Sequence, residues 1–249
     1  TSVQVVDVIT ATLLGSAAVT LSIGLLAGAV PRRHLLQLIA VLMIATGVAF
    51  AAVDGFVALL IVAAVGTINP SSGDVSGFLP VEQALLPDTV PSERRTSVFA
   101  RYSLIASLAG ALGALAAGVP ELVARRTSLS LHDAQRGIFL AYAGIGVVLL
   151  LQYRHLGVGG RPSHDEAPRA RLGPSRAIVY RLAAVFSMDA LGGGFAVQSI
   201  LVLWLSLRFQ LSTTAAGAIF FWAGLLSASS ALLAPVLAPH GPKDAAFAA

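Results

Sequence analysis

The chain contains no cysteine, so neither a disulfide nor a thiolate-held metal can take part in it. Charge is scarce as well: 11% of the 249 residues are Asp, Glu, Lys or Arg, against about 25% in an ordinary soluble domain. A surface with so few charges faces something other than water over most of its area. Lysine is nearly missing, with Lys243 alone beside 15 arginines. There is no GxSxG elbow, HExxH pair or phosphate-binding glycine loop. Finger spacings and aromatic–basic platforms suited to nucleic acid are also lacking. The five histidines, His34, His132, His155, His164 and His240, fall in loops or at span ends and form no ligand cluster. No enzymatic role, cofactor or metal is expected. A basic n-region with a cleavage site is absent too. The start at Thr1 and the short tail Gly241–Ala249 read as cut ends.

What is present is apolar. Hydrophobic residues make up 56% of the chain, and the mean hydropathy is +0.83. Runs of about 20 apolar residues, the length that crosses a bilayer core of about 30 Å, recur along the sequence. The expectation is an all-α polytopic membrane protein with seven transmembrane helices, at about 8–30, 35–53, 56–86, 98–119, 137–153, 182–207 and 211–239. Gly24 and Gly28 in the first span stand at helix-packing spacing. In the fourth, Ala106, Gly110, Ala114 and Gly118 recur every four residues beside a stripe of Ser103, Ser107 and Ala111. Small-residue faces of this kind let helix backbones approach closely. Residues 120–135 read as a mixed-charge loop. The arginine-rich stretch 154–181 reads as a linker between a first bundle, 1–153, and the start of a second, 182–249.

The third span does not fit a single straight helix. Residues 56–86 would make a helix of about 46 Å at 1.5 Å per residue, too long for the bilayer core. Asn69-Pro70, Gly73 and Pro80 favour a kink or a break. A break at 69–73 would expose backbone amides and a helix N-terminus to an anionic group.

Four charged residues lie in or near spans: Asp74, Glu82, Arg101 and Asp189. An acid at the bilayer centre costs about 2.5–3.5 kcal/mol even on the lenient scale, so it normally faces a cavity or a partner. Asp74 and Glu82 are separated by about 80° on an ideal helix and share one broad face. Two readings stand for each group. Glu82 either serves the cavity or closes an ion pair with Arg101. Asp74 either binds or caps a restarting helix. Asp189 either binds solute or protons or makes a structural hydrogen bond, and Gln198 either lines the cavity or glues helices together. Asn69 joins the candidates through its place at the break.

Basic residues give an orientation. With the N-terminus outside, twelve Lys and Arg fall on the inner side and four on the outer, which favours N-out and C-in in the cytoplasmic membrane.

Gly24-Leu25-Leu26-Ala27-Gly28-Ala29-Val30-Pro31-Arg32-Arg33 resembles the cytoplasmic loop signature of the major facilitator superfamily. That signature is Gly, three residues, Asp, Arg, any residue, Gly and two basic residues. Gly24, Arg32 and Arg33 match it. The Asp, the Arg and the second Gly are replaced by Gly28, Ala29 and Pro31, so the acid of the inward latch is missing. The resemblance covers nearly the whole chain. It implies a partial fold of that family in which the seven spans correspond to its second to eighth helices. It also implies that the helices bearing Asp74, Glu82 and Asp189 line a central cavity, with a small solute and protons as partners in a lipid bilayer. The function expected is secondary active transport by alternating access, with this chain a fragment of the carrier. The competing expectation is a non-transporting membrane scaffold or receptor built on the same helices.

Overall fold

The computed structural model describes residues 2–26, 30–68, 77–86, 90–91, 95–155, 176–194 and 197–237. Every regular element among them is an α-helix. Four helical stretches are long and apolar enough to cross a membrane: Val3–Leu26, Arg32–Ala52, Ser97–Arg126 and Leu131–His155. They belong to α1 (Ser2–Leu26), α2 (Arg32–Ala52), α5 (Arg95–Ala116) with α6 (Val119–Arg126), and α7 (Leu131–His155). The all-α membrane architecture stands, although the described residues do not establish the number of spans as seven.

Two expected spans are divided. The third becomes α3 (Phe56–Val65) and α4 (Phe78–Leu85), about 15 and 12 Å long, so neither crosses the bilayer core alone. The first part ends earlier than the Asn69-Pro70 signal suggests. Gly66 already turns extended, at φ −72° and ψ 174°. Pro70 has no N–H to offer the carbonyl four residues back, so the helix gains nothing by continuing. Gly77, at φ 100°, starts α4 from a backbone conformation that glycine adopts without strain. The sixth span is likewise two helices, α8 (Arg176–Gly194) and α9 (Gln198–Phe209). Asp189 and Gln198 therefore do not share one straight helix. The last helix is α10 (Thr213–Leu237).

The expected loop at 120–135 is also corrected. Pro120, near the start of α6, needs no N–H there, and the helix runs on to Arg126. Then Ser130 caps α7: its Oγ accepts from the Asp133 amide at 3.1 Å and donates to the Asp133 carboxylate at 2.6 Å.

α2 packs along α7, α10 along α5, and α1 against α3. Small residues allow these approaches. A Cβ added at Gly47 on α2 would lie 2.6 Å from the Phe139 carbonyl on α7. One added at Gly217 on α10 would lie 2.5 Å from the Ala114 carbonyl on α5. On α1 the packing glycine is Gly15, against Ala64, and not Gly24, which has open space around it. Facing α10 are Ala111 and Ala114 on α5 and Gly118 just past its end, drawn from both expected stripes, while Gly110 has open space around it. A spacing of three then four residues keeps to one side of a 3.6-residue helix better than a strict four. The principal buried cluster is Ile23, Leu35, Leu36, Ile39, Ala40, Met43, Phe78 and Val81. It ties α1, α2 and α4 together. Elsewhere large apolar side chains such as Leu14, Leu25, Trp222 and Leu226 stand on the surface, the pattern of a lipid-facing exterior.

Candidate functional site

The α3–α4 break is lined by hydroxyls. Thr46 on α2 is 3% exposed and Thr67, just past the end of α3, is fully buried. Thr46 Oγ1 accepts from the Thr67 amide at 3.3 Å and donates to the Leu42 carbonyl at 2.7 Å. Thr67 Oγ1 and Tyr142 Oη on α7 lie 2.9 Å apart. A helix stopped inside an apolar bundle leaves backbone groups without partners. Here a neighbouring threonine supplies one, so the irregular backbone is tolerated where protein surrounds it.

Further along, Glu82 projects from α4 between α5 and α7. Tyr102 on α5 donates to Oε2 at 2.7 Å, and Tyr153 on α7 donates to Oε1 at 3.0 Å. The ring of Tyr153 in turn lies against Phe78, with centroids 5.8 Å apart. The Glu82–Arg101 ion pair expected from sequence is not among the described contacts. Arg101 is exposed; it sits one residue before Tyr102, about 100° away around the helix, so the phenol and not the guanidinium meets the carboxylate. A half-buried acid held by two phenols from two other helices ties three helices together.

Beside this cluster lies the basic pair. Arg32 Nη1 reaches the Ala84 carbonyl at 3.5 Å, and Arg33 Nη2 donates to the Arg154 carbonyl at 2.7 Å. These carbonyls end α4 and α7, where helix C-termini favour cations. Gly24, the third matched signature position, contributes no contact of this kind.

At the other end, the Asp54 turn between α2 and α3 meets α7. Arg136 Nη2 donates to both Asp54 oxygens at 2.8 Å, and His132 Nε2 lies 3.0 Å from Asp54 Oδ1. These side chains rim a cavity of about 300 Å³ whose walls are Val8, Phe50, Leu59 and Phe139. A second cavity of about 240 Å³ lies between Val5 of α1, Ser199 and Ser206 of α9, and Thr213 and Ala216 of α10. Neither includes Glu82.

Asn69 and Asp74 lie outside the described residues, as does the side chain of Asp189, whose backbone is part of α8. Gln198 is the first residue of α9, half-buried, one position from Ser199 of the second cavity. Sequence reasoning missed Thr46, Thr67, Tyr102, Tyr142 and Tyr153. Hydroxyl residues inside otherwise apolar runs are the signal that marks them. It also missed Glu121, whose carboxylate accepts from the Thr214 amide of α10.

Greasy helices outside and satisfied hydroxyl and carboxylate clusters inside define an α-helical bundle of the membrane-embedded class. Within that class, the chain belongs to the Major Facilitator Superfamily, whose family model matches residues 1–248. Members of this family are transporters of small solutes. The chain is also 28% identical over 240 residues to a protein of Saccharomyces cerevisiae bearing the name "Uncharacterized membrane protein YJR124C". That match covers 83% of this chain and 54% of the yeast protein, so the chain spans about half the length of the curated relative it matches. No solved structure matches it.

Proposed function

We propose that this chain forms seven spans of a secondary active transporter that moves a small solute through the cytoplasmic membrane by alternating access, coupled to protons. Residues 1–153 belong to one bundle, 154–181 to a cytoplasmic linker and 182–249 to the second bundle, with the chain's N-terminus outside. The observation that carries this reading is the break between α3 and α4 in the span that bears Glu82. A discontinuous helix inside the bilayer exposes backbone and acids where a carrier needs a polar site. Asp74 and Asp189 are the proton carriers in this proposal. Asn69, Gln198 and the amides of the break contact a polar or anionic solute, and Glu82 is a third acid of the same pathway.

The test uses the full-length protein in proteoliposomes with an internal pH indicator and a panel of small organic anions and zwitterions. At least one solute is expected to dissipate an imposed pH gradient. Asp189→Asn abolishes that flux, and the double variant Pro70→Ala, Gly73→Ala slows it at least about tenfold, within the roughly hundredfold that misplacing a site by about 1 Å can cost. Flux that persists unchanged in Asp189→Asn removes proton coupling through this residue. No flux with any solute favours the scaffold or receptor instead.

A further inference from the structure

We propose that Glu121 is a positioning residue of the transport cycle: its carboxylate caps the N-terminus of α10 and latches the helices before the arginine-rich stretch to those after it, at the Asp54 end of the bundle. This rests on the carrier reading for its role, but the contact itself is independent of any solute.

The geometry begins with an unmet need of α10. The first N–H groups of a helix have no acceptor within it. Ser212 meets one of them, its Oγ accepting from the Ala215 amide at 3.2 Å, as an N-cap serine does. The Thr214 amide is served from elsewhere. It donates to Glu121 Oε2 at 3.1 Å, across 93 residues of sequence. Thr214 Oγ1 lies 3.0 Å from the same oxygen and 3.3 Å from the Gly118 carbonyl. Oε1 accepts from Arg125 Nη2 at 2.6 Å, and the Glu121 side chain is only 19% exposed. A carboxylate at a helix N-terminus is favoured by the helix dipole as well as by hydrogen bonds.

Below this contact the closest approaches between α5 and α10 are made by small residues. Ala111 meets Gly224, Ala114 meets Gly217 and Gly118 meets Thr214. A seam of alanine and glycine packs closely but interlocks little, so two helices can part along it without dragging large side chains past each other. Glu121 therefore decides whether the seam stays shut at its Asp54 end. Alternating access requires each end of the bundle to close and open in turn, and this contact belongs to the closed arrangement of that end.

The absence of native cysteine makes the test direct. Ala111, buried in the seam at 4% exposure, is replaced by cysteine in the membrane-embedded chain, and its labelling by a membrane-impermeant maleimide is timed from each face. With Glu121 intact, labelling is slow. Glu121→Ala is expected to raise the rate at least about fivefold, from loss of charge-assisted hydrogen bonds. Thr214→Val, which changes no charge, raises it less. Arg125→Ala, which leaves both Thr214 bonds to Oε2 in place, raises it less than Glu121→Ala. Gel filtration of each variant reports folding, and Thr214→Val carries the test if Glu121→Ala does not fold. Labelling that stays slow in the folded Glu121→Ala and Thr214→Val variants overturns the latch. So does an equal rise in Arg125→Ala, which would place the effect inside α6. If the labelling pattern holds but the full-length protein moves no solute, the contact stands and the carrier reading falls.

Discussion

Asp54, at the protein–water boundary, is met by two basic side chains, Arg136 and His132. Partial desolvation pushes its carboxyl up, but the hydrogen bonds and charge of Arg136, then those of His132, outweigh this and hold it below its ordinary value of 3.8. A carboxyl whose value is lower in the folded state contributes stability above its unfolded value and loses it as pH falls through the folded one. The side chain is 63% exposed, so solvent and salt screen the contribution. The thermal unfolding of wild type and Asp54→Asn in detergent should therefore differ modestly at pH 6. The gap should shrink with added salt and close once the pH is taken well below 3.8. A gap that persists in strong acid would mean that packing, and not the ion pair, accounts for it. The same end of the molecule shows what sequence could not reveal. Asp54 lies 78 residues from His132 and 82 from Arg136, and nothing in the local pattern links the Asp54-Gly55 turn to the first turns of α7.

Helices are the scale at which the sequence was most legible. Runs of apolar residues located α1, α2, α7 and α10 to within several residues, because a bilayer-length segment announces itself by composition. Interruptions were harder to place. Pro70 announced a break, yet the helix stops at Gly66, since a proline disturbs the turn before it. The sixth expected span divides in the same way, with α8 ending at its run of three glycines and α9 starting afresh beyond them. Small-residue faces were seen but not their partners: Ala111 and Ala114 were marked, while Gly224 and Gly217 opposite them were not. A paired substitution follows at this scale. Gly217→Leu must drive α10 from α5, because a Cβ there already meets the Ala114 carbonyl at 2.5 Å. A destabilisation of about 1–3 kcal/mol or more is expected, read as a lower unfolding temperature in detergent. Gly113→Leu, one residue from Ala114 but with open space around it, should be tolerated. Equal sensitivity at both positions would show that the seam is not where α5 and α10 meet.

For the whole molecule, the distribution of arginine predicts a topology that the helices make testable. Ser128→Cys sits between α6 and α7, and Ser163→Cys lies in the arginine-rich stretch beyond α7. If α7 crosses the bilayer, an impermeant maleimide reaches the first from outside only and the second from inside only, in sealed vesicles of known orientation. Labelling of both from one face would remove α7 as a span, and a reversed pattern would overturn N-out. The candidate acids were readable from sequence because ionisable groups are conspicuous in an apolar chain. Their partners were not readable, since Tyr102 and Tyr153 come to Glu82 from separate helices.

The dipeptide Arg32-Arg33 has a mechanical meaning beyond its match to a loop signature. One residue grips the tail of α4 and its neighbour grips the tail of α7, so a single short turn acts as a yoke across three rods. A displacement of the first turn of α2 is therefore expected to be felt first at the ends of α4 and α7, the two helices it touches there.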